Sequence, residues 1–197
     1  MADKTLTLPA HLANIDEKIL LQAIEQNPAS LVITTPQAEI IYVNQQFCEL
    51  TGYSFDEVIG ANPRVLKGHD GYTDYAQLWK TLLAGEQWQG EFHNQRKDGG
   101  FFWERASISP IRGEQGETLY YLAIKEDITL RKDYEERLLY QASYDKLTDL
   151  PNRSLAYDRL QQAIANAIRE QKHIAVIYID FDHFKNINDT LGHTAGD

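Results

Sequence analysis

The chain has 197 residues, 43% of them hydrophobic and 24% charged, with a formal net charge of −10. This is the composition of a folded globular protein rather than a disordered segment, and its acidic balance argues against a general nucleic-acid binder, whose phosphate contacts need clustered Lys and Arg. A nucleotide substrate stays compatible with that charge, because a bound divalent metal supplies the missing positive charge. The longest uninterrupted apolar run, Ile174–Ile179, is far short of the ~20 residues a spanning helix needs. The opening Met1-Ala2-Asp3-Lys4-Thr5 lacks the apolar core of a secretory signal, and the single cysteine, Cys48, leaves no intrachain disulfide. A cytoplasmic protein with no membrane contact in this segment is expected.

Residues 8–26 carry Leu12, Ile15, Ile19 and Ala23 at helical spacing, and Pro9 suits an early helical position. Asn27-Pro28 ends the helix, because the residue before proline is pushed out of the helical region. This N-terminal segment, residues 1–27, reads equally as a cover helix or as a dimerisation helix. Residues 28–129 form an α+β unit with one antiparallel sheet. Leu31–Thr34 and Ile40–Val43 read as strands about a turn at Pro36–Ala38, and a helix over 44–51 closes at Gly52. In residues 72–84, Tyr75, Leu78, Trp79, Leu82 and Leu83 fall on one helical face. Strands at 88–96, 101–111 and 118–127 follow, and Lys97-Asp98-Gly99-Gly100 is the hairpin turn between the first two.

Residues 130–146 form a charged linker helix whose stripe, Leu130, Tyr134, Leu138 and Ala142, is narrow enough for a two-helix seam. A simple connecting helix fits the pattern as well. Residues 147–197 then read turn, helix, strand. Leu160, Ile164 and Ile168 give the helix its apolar face, and the β-branched run Ile174–Ile179 predicts a buried strand. That strand would deliver Asp180 and Asp182 to its C-terminal end, where α/β sheets bind ligands.

Two resemblances sharpen this outline. The stretch from Asn27-Pro28 to Asp127-Ile128-Thr129 resembles the PAS sensor family with its PAC motif. It does so through Tyr42-Val43-Asn44, Leu50-Thr51-Gly52-Tyr53, Asn62-Pro63-Arg64, Trp88-Gln89-Gly90-Glu91 and Arg96-Lys97-Asp98-Gly99. The turn often written Asp-x-x-Gly stands here as Thr35-Pro36-Gln37-Ala38, which leaves its type open. Residues 143–197 resemble the opening of the GGDEF diguanylate cyclase family, through Asp145-Lys146-Leu147-Thr148-Asp149-Leu150-Pro151-Asn152-Arg153 and through Asp180 to His193. The expected architecture is a PAS fold, a helical linker and an incomplete α/β nucleotidyl-cyclase-like portion, with the signature loop lying past Asp197.

The second resemblance implies a parent that joins two GTP molecules into cyclic di-GMP with Mg²⁺ or Mn²⁺. Asp180 would supply a carboxylate ligand and Phe181 its main-chain carbonyl. Lys185 would face the triphosphate, and Asn188 and Asp197 would read the guanine edge. With only part of that site present, the 197 residues are expected to be inactive. The first resemblance implies a sensory input acting through a homodimer. Its pocket candidates are Asn62, Trp88 and Asn94, and its occupant is open between a flavin (FAD) and none, with structural packing the favoured reading. Cysteinyl-flavin photochemistry is not expected, because Asn62-Pro63-Arg64 holds no cysteine and Lys125 stands where photosensory relatives place a glutamine. Haem would need His69 or His93, and a lone histidine is more often a packed residue. The alternative function is a dimerising PAS module that controls a degenerate GGDEF domain or an attached phosphodiesterase.

Overall fold

In sequence order the strands are β1 (Ser30–Thr34), β2 (Ile40–Val43), β3 (Trp88–Gln95), β4 (Phe101–Arg112) and β5 (Thr118–Asp127). They form one antiparallel sheet in the order β2-β1-β5-β4-β3, so the chain's first strand pairs with its last. The structure is a computed structural model that describes residues 16–68 and 73–192. It divides into two compact units, one ending at Lys132 and the other beginning at Asp133.

The predicted alternation is visible in β4, where Phe102, Glu104 and Ala106 are buried at every second position. The β3–β4 turn closes as its residues require. The Asp98 carboxylate accepts from the Gly100 N–H, and Gly99 takes the left-handed φ of 92° that favours glycine. In the β1–β2 turn, Ala38 holds a left-handed φ of 63° without being glycine, and its N–H donates to the Thr35 carbonyl at 2.9 Å. That settles the turn the sequence left open.

The helices of the first unit lie between β2 and β3 in sequence, preceded by α1 (Glu17–Glu25). The helix expected over 8–26 therefore appears over its second half, and its earlier residues lie outside those described. Asn44 caps α2 (Gln45–Thr51), and Gly52 ends it at a φ of 77°. Ser54 and Glu57 form a capping box on the single turn α3 (Phe55–Val58). A 3-10 turn over Pro63–Leu66 follows. Asp74 then caps α4 (Tyr75–Leu83), accepting from the N–H groups of Ala76 and Gln77. On α4, Leu78 and Leu82 sit four residues apart and are both buried against Trp88, Phe92 and Tyr121. A second cluster beneath α2 and α3 is built on Val32, Ile40, Phe47 and Val58. Each fully buried side chain of this size contributes roughly 1.5–3 kcal/mol of transfer free energy.

The linker α5 (Thr129–Ser143) leaves the sheet directly after β5. Among the described residues nothing covers its predicted stripe: Leu130 is 66% exposed, Tyr134 56% and Leu138 64%.

In the second unit, Asn152 caps α6 (Arg153–Glu170), and α7 (Phe184–Leu191) follows. The strand expected at Ile174–Ile179 is a correction. The segment forms no strand, and Ile177, Tyr178 and Ile179 are each more than 80% exposed. A strand persists only where neighbours satisfy its N–H and C=O groups, and among the described residues of this unit none pairs with it. The α/β layer expected over 147–197 shows its helices alone.

Candidate functional site

Between α4, the 3-10 turn and the inner face of the sheet lies a cavity of about 100 Å³. The apolar wall comes from Leu78 and Leu82 on α4 and from Val32, Phe92, Tyr121 and Ala123 on the sheet. Exposed Asn62 and Arg64, with half-buried Pro63 between them, form its rim. The sheet also lines it with the polar side chains of Thr34, Asn94 and Lys125, of which the last two act together.

Their geometry is governed by Glu104, which is 1% exposed. The Lys125 ammonium lies 2.5 Å from Glu104 Oε1, and Asn94 Nδ2 donates to the same oxygen at 2.7 Å. Lys125 also sits over the Phe92 ring, 5.4 Å from its centre. Strand register makes this trio: Lys125 is opposite Ala106 and Glu104 is opposite Phe92, which places the three polar residues as diagonal neighbours on one face. Sequence reasoning named Asn94 and noted Lys125 but missed Glu104. Its signal was an acid at an inward position of an alternating strand.

The three pocket candidates part company here. Asn94 lines the cavity within the buried trio. Asn62 lines the rim, where its carboxamide oxygen caps the 3-10 turn by accepting from the Arg64 N–H at 3.0 Å. Trp88 does not line the cavity. It packs into the core, its ring 5.3 Å from that of Phe92. His93 stacks on Trp103 at 4.5 Å and also lies outside the cavity lining, and His69 falls outside the described residues. Cys48 packs against the cluster beneath α2, and burial, with Glu25 and Glu49 nearby, pushes its thiol above the ordinary value.

The cavity is small beside the ~300–1,000 Å³ of typical cofactor sites, and its buried polar groups are already engaged with one another. In this arrangement the residues do not fit a flavin. The described part of the GGDEF-like segment likewise does not complete a metal site. Asp180 and Phe181 are exposed in the irregular stretch before α7, and among the described residues no group of three or more His, Cys, Asp or Glu could hold a metal. Lys185 and Asn188 share one face of α7 at a three-residue step. Asn188 Oδ1 is enclosed without a hydrogen-bond partner. Asp197 lies outside the described residues.

The sheet is tied to α5 by Asp127-Ile128-Thr129. The Asp127 carboxylate accepts from the Thr129 N–H at 2.8 Å and from its hydroxyl at 2.5 Å. Trp103 donates its N–H to the Thr129 hydroxyl and accepts from the Ile128 N–H, each at 2.9 Å. Lys132 on the first turn of α5 lies 2.7 Å from Glu91 and over the Trp103 ring. Trp103 is the immediate neighbour of Glu104, so the anchor of α5 and the buried trio share one stretch of β4. At the other end of α5, a turn closes on the helix. Asp145 Oδ1 accepts from the N–H groups of Leu147 and Thr148, and Asn152 Nδ2 donates to the Ala142 carbonyl at 2.7 Å.

Comparison with known proteins agrees with this anatomy. The chain belongs to the PAS domain family, whose model matches residues 28–130, and residues 142–197 match the model described as "Diguanylate cyclase, GGDEF domain". A nitrogen fixation regulatory protein of Klebsiella oxytoca is 38% identical over 116 residues, 58% of this chain and 23% of that protein. A probable diguanylate cyclase of Escherichia coli is 25% identical over 163 residues, 81% of this chain and 15% of that protein. Among solved structures, a light-oxygen-voltage domain studied with a flavin analogue superposes with a TM-score of 0.52 at 32% identity, covering 61% of this chain and 91% of that one. The chain spans about a quarter of the length of the first curated relatives it matches, 23%, 23% and 24%. It is a PAS sensor domain followed by part of a GGDEF domain, and among the described residues no helix is long and apolar enough to cross a membrane.

Proposed function

We propose that the PAS domain is the regulatory input of a diguanylate cyclase, and that α5 carries its signal between the protomers of a homodimer. The observation that carries this reading is the exposed stripe of α5. Leu130, Tyr134 and Leu138 are each more than half exposed on a helix bonded to the sheet at one end, and the GGDEF match begins at residue 142, close to its other end. A charged helix that exposes such an apolar line finds its stability in a second helix. Two packings of that seam, biased differently by the state of the PAS domain, would set whether two cyclase domains meet.

In such a parent, Asp180 and the Phe181 carbonyl would contribute to a divalent-metal site, Lys185 would face phosphate, and Asn188 and Asp197 would read guanine. The 197-residue chain itself is expected not to turn over GTP, because two oxygen ligands fall far short of the near-octahedral set Mg²⁺ requires. The likeness to a light-oxygen-voltage domain favours flavin chemistry in the PAS cavity, whereas the cavity's size and its engaged polar groups favour a smaller occupant or none. An absorbance spectrum of the purified protein decides between them. Charge reversal along Arg131, Lys132 and Arg137 in the full-length protein tests the linker. Altered cyclic di-GMP synthesis is expected, and unchanged synthesis would sink a specified seam.

A further inference from the structure

We infer that Glu91 is a partner-exchange latch on the linker helix, its carboxylate passing between Lys132 on α5 and Arg105 on β4. In the structure it holds Lys132, whose ammonium lies 2.7 Å from Glu91 Oε2. The alternative cation already stands beside it. Arg105 is directly opposite Glu91 in the β3–β4 register, and Glu126 is directly opposite Arg105 in the β4–β5 register. The three charges form one row across the outer face of the sheet, because their chain neighbours Phe92, Glu104 and Lys125 point inward. Directly opposed residues bring their Cβ atoms to about 5 Å, so the Arg105 guanidinium reaches Glu91 as readily as Glu126. At present Arg105 Nη2 lies 2.7 Å from Glu126 Oε2.

The exchange bears on α5 because that helix is attached to the sheet at two points. The first is Thr129, whose hydroxyl accepts from the Trp103 N–H at 2.9 Å. The second is Lys132, paired with Glu91 and lying 5.1 Å from the centre of the Trp103 ring. Two attachments fix the direction of a helix, and one leaves it a pivot. When Glu91 takes Arg105, the Thr129 bond stays and the Lys132 attachment is lost. The four side chains are between 32% and 64% exposed. Exposed ion pairs are weak, so the two pairings lie within about tenfold of each other and a small push selects between them. That push has a route. Thr73, just before the Asp74 cap of α4, donates its hydroxyl to the Glu91 carbonyl at 2.9 Å. A shift of α4, which lines the cavity, therefore acts on the residue that holds α5. The latch deepens the linker reading and rests on it for the claim that the direction of α5 is the output.

The test is proton NMR of the 197-residue chain, with Lys132 as its own reporter. Its ammonium lies over the Trp103 ring while the latch is closed, so ring current moves the adjoining ε-methylene signal upfield. Fast exchange makes that shift a measure of the closed population. Glu91→Gln should move the signal towards that of a free lysine. Arg105→Met removes the competing cation and should move it the other way, raising the closed-to-open ratio about two- to fivefold. Glu126→Gln releases Arg105 to Glu91 and should lower the ratio by a similar factor. Thr73→Val should shift the signal in the native chain and leave it unmoved in Glu91→Gln. A pair that is merely structural does not give opposite responses to Arg105→Met and Glu126→Gln. The exchange is overturned if neither variant moves the signal or both move it the same way. A Thr73→Val effect that persists in Glu91→Gln overturns the route from α4. Should Glu91→Gln fail to fold, the Arg105 and Glu126 variants, both of exposed side chains, still decide. An unresponsive Lys132 in a dimeric chain sinks the latch and leaves the linker reading standing, whereas a responsive one in a monomer does the reverse.

Discussion

Lys125 and Glu104, on adjacent strands, form an ion pair 2.5 Å apart with side chains only 7% and 1% exposed. Such a pair adds little net stability over a hydrophobic replacement, yet removing one partner strands the other in the interior. Lys125→Met should therefore destabilise the PAS domain by about 3 kcal/mol in urea unfolding, since Glu104 keeps only the Asn94 donor. Lys125→Met/Glu104→Gln should recover most of that loss. A single variant as stable as the double would show that the pair is open to water.

Asn44 is a dense polar junction in the domain. It is fully buried, its Oδ1 accepts from the N–H groups of Leu31 and Phe47, and its Nδ2 donates to the Ala29 carbonyl at 3.0 Å and the Ile24 carbonyl at 3.2 Å. One residue thus caps α2 and joins β1 to the end of α1. Asn44→Ala removes a helix cap and leaves buried backbone groups unpaired, at a cost of about 2–4 kcal/mol. Asn44→Asp should be nearly as damaging, because a carboxylate accepts but cannot donate to the Ala29 and Ile24 carbonyls. Thermal unfolding of both variants checks this, and a mild Asn44→Asp would mean the donor half of the junction contributes little.

The sequence made the sheet legible because its strands alternate and its turns use residues with fixed conformational demands. Asp98-Gly99, Gly52 and the Leu78–Leu82 step each fell where local chemistry required. Asn44 was visible as part of a motif, but its bonds to Leu31, Ala29 and Ile24 were not, since they depend on where β1 and α1 arrive. Glu104 was hidden for a related reason: an acid reads as solvent-facing until strand register puts a lysine beside it. Trp88, a large aromatic near a pocket motif, packs in the core cluster beside Phe92. The Ile174–Ile179 run shows the limit of periodicity. An apolar β-branched stretch has strand propensity, but pairing is non-local and none is formed among the described residues.

Glu57 gives a pH signature. Its bond to the Lys97 ammonium at 2.5 Å, helped by the Ser54 N–H and hydroxyl, lowers its pKa to about 2. A carboxyl whose folded pKa lies below its unfolded value of ~4.3 stabilises the fold above that unfolded value. The contribution fades as pH falls from there towards about 2. Both side chains are close to half exposed, so the effect is small and salt-sensitive. Glu57→Gln should flatten the loss of stability between roughly pH 4 and pH 2 and leave the rest of the acid profile unchanged. Parallel profiles for the two proteins would show that the bond to Lys97 does not persist in solution.

The linker supplies the sharpest test of assembly. Leu130, Tyr134, Leu138 and Leu139 are all exposed by more than half, while Thr129 and Lys132 fix the start of the same helix to Trp103 and Glu91. A firmly anchored helix with an uncovered apolar line should pair with its copy, and light scattering of the 197-residue chain should report a dimer. Leu138→Lys puts a charge into the seam from both protomers at once and should raise the dimer dissociation constant by at least tenfold, about 1.4 kcal/mol. Asp133→Lys, on a polar face, should leave it within a factor of three. Because Leu138 lies six residues past the end of the first compact unit, the PAS fold itself should keep its melting temperature in the Leu138→Lys protein. A monomeric native chain, or equal weakening by both substitutions, would remove α5 as the dimer seam and shift attention to the exposed side chains of α1, Ile19, Leu20 and Leu21.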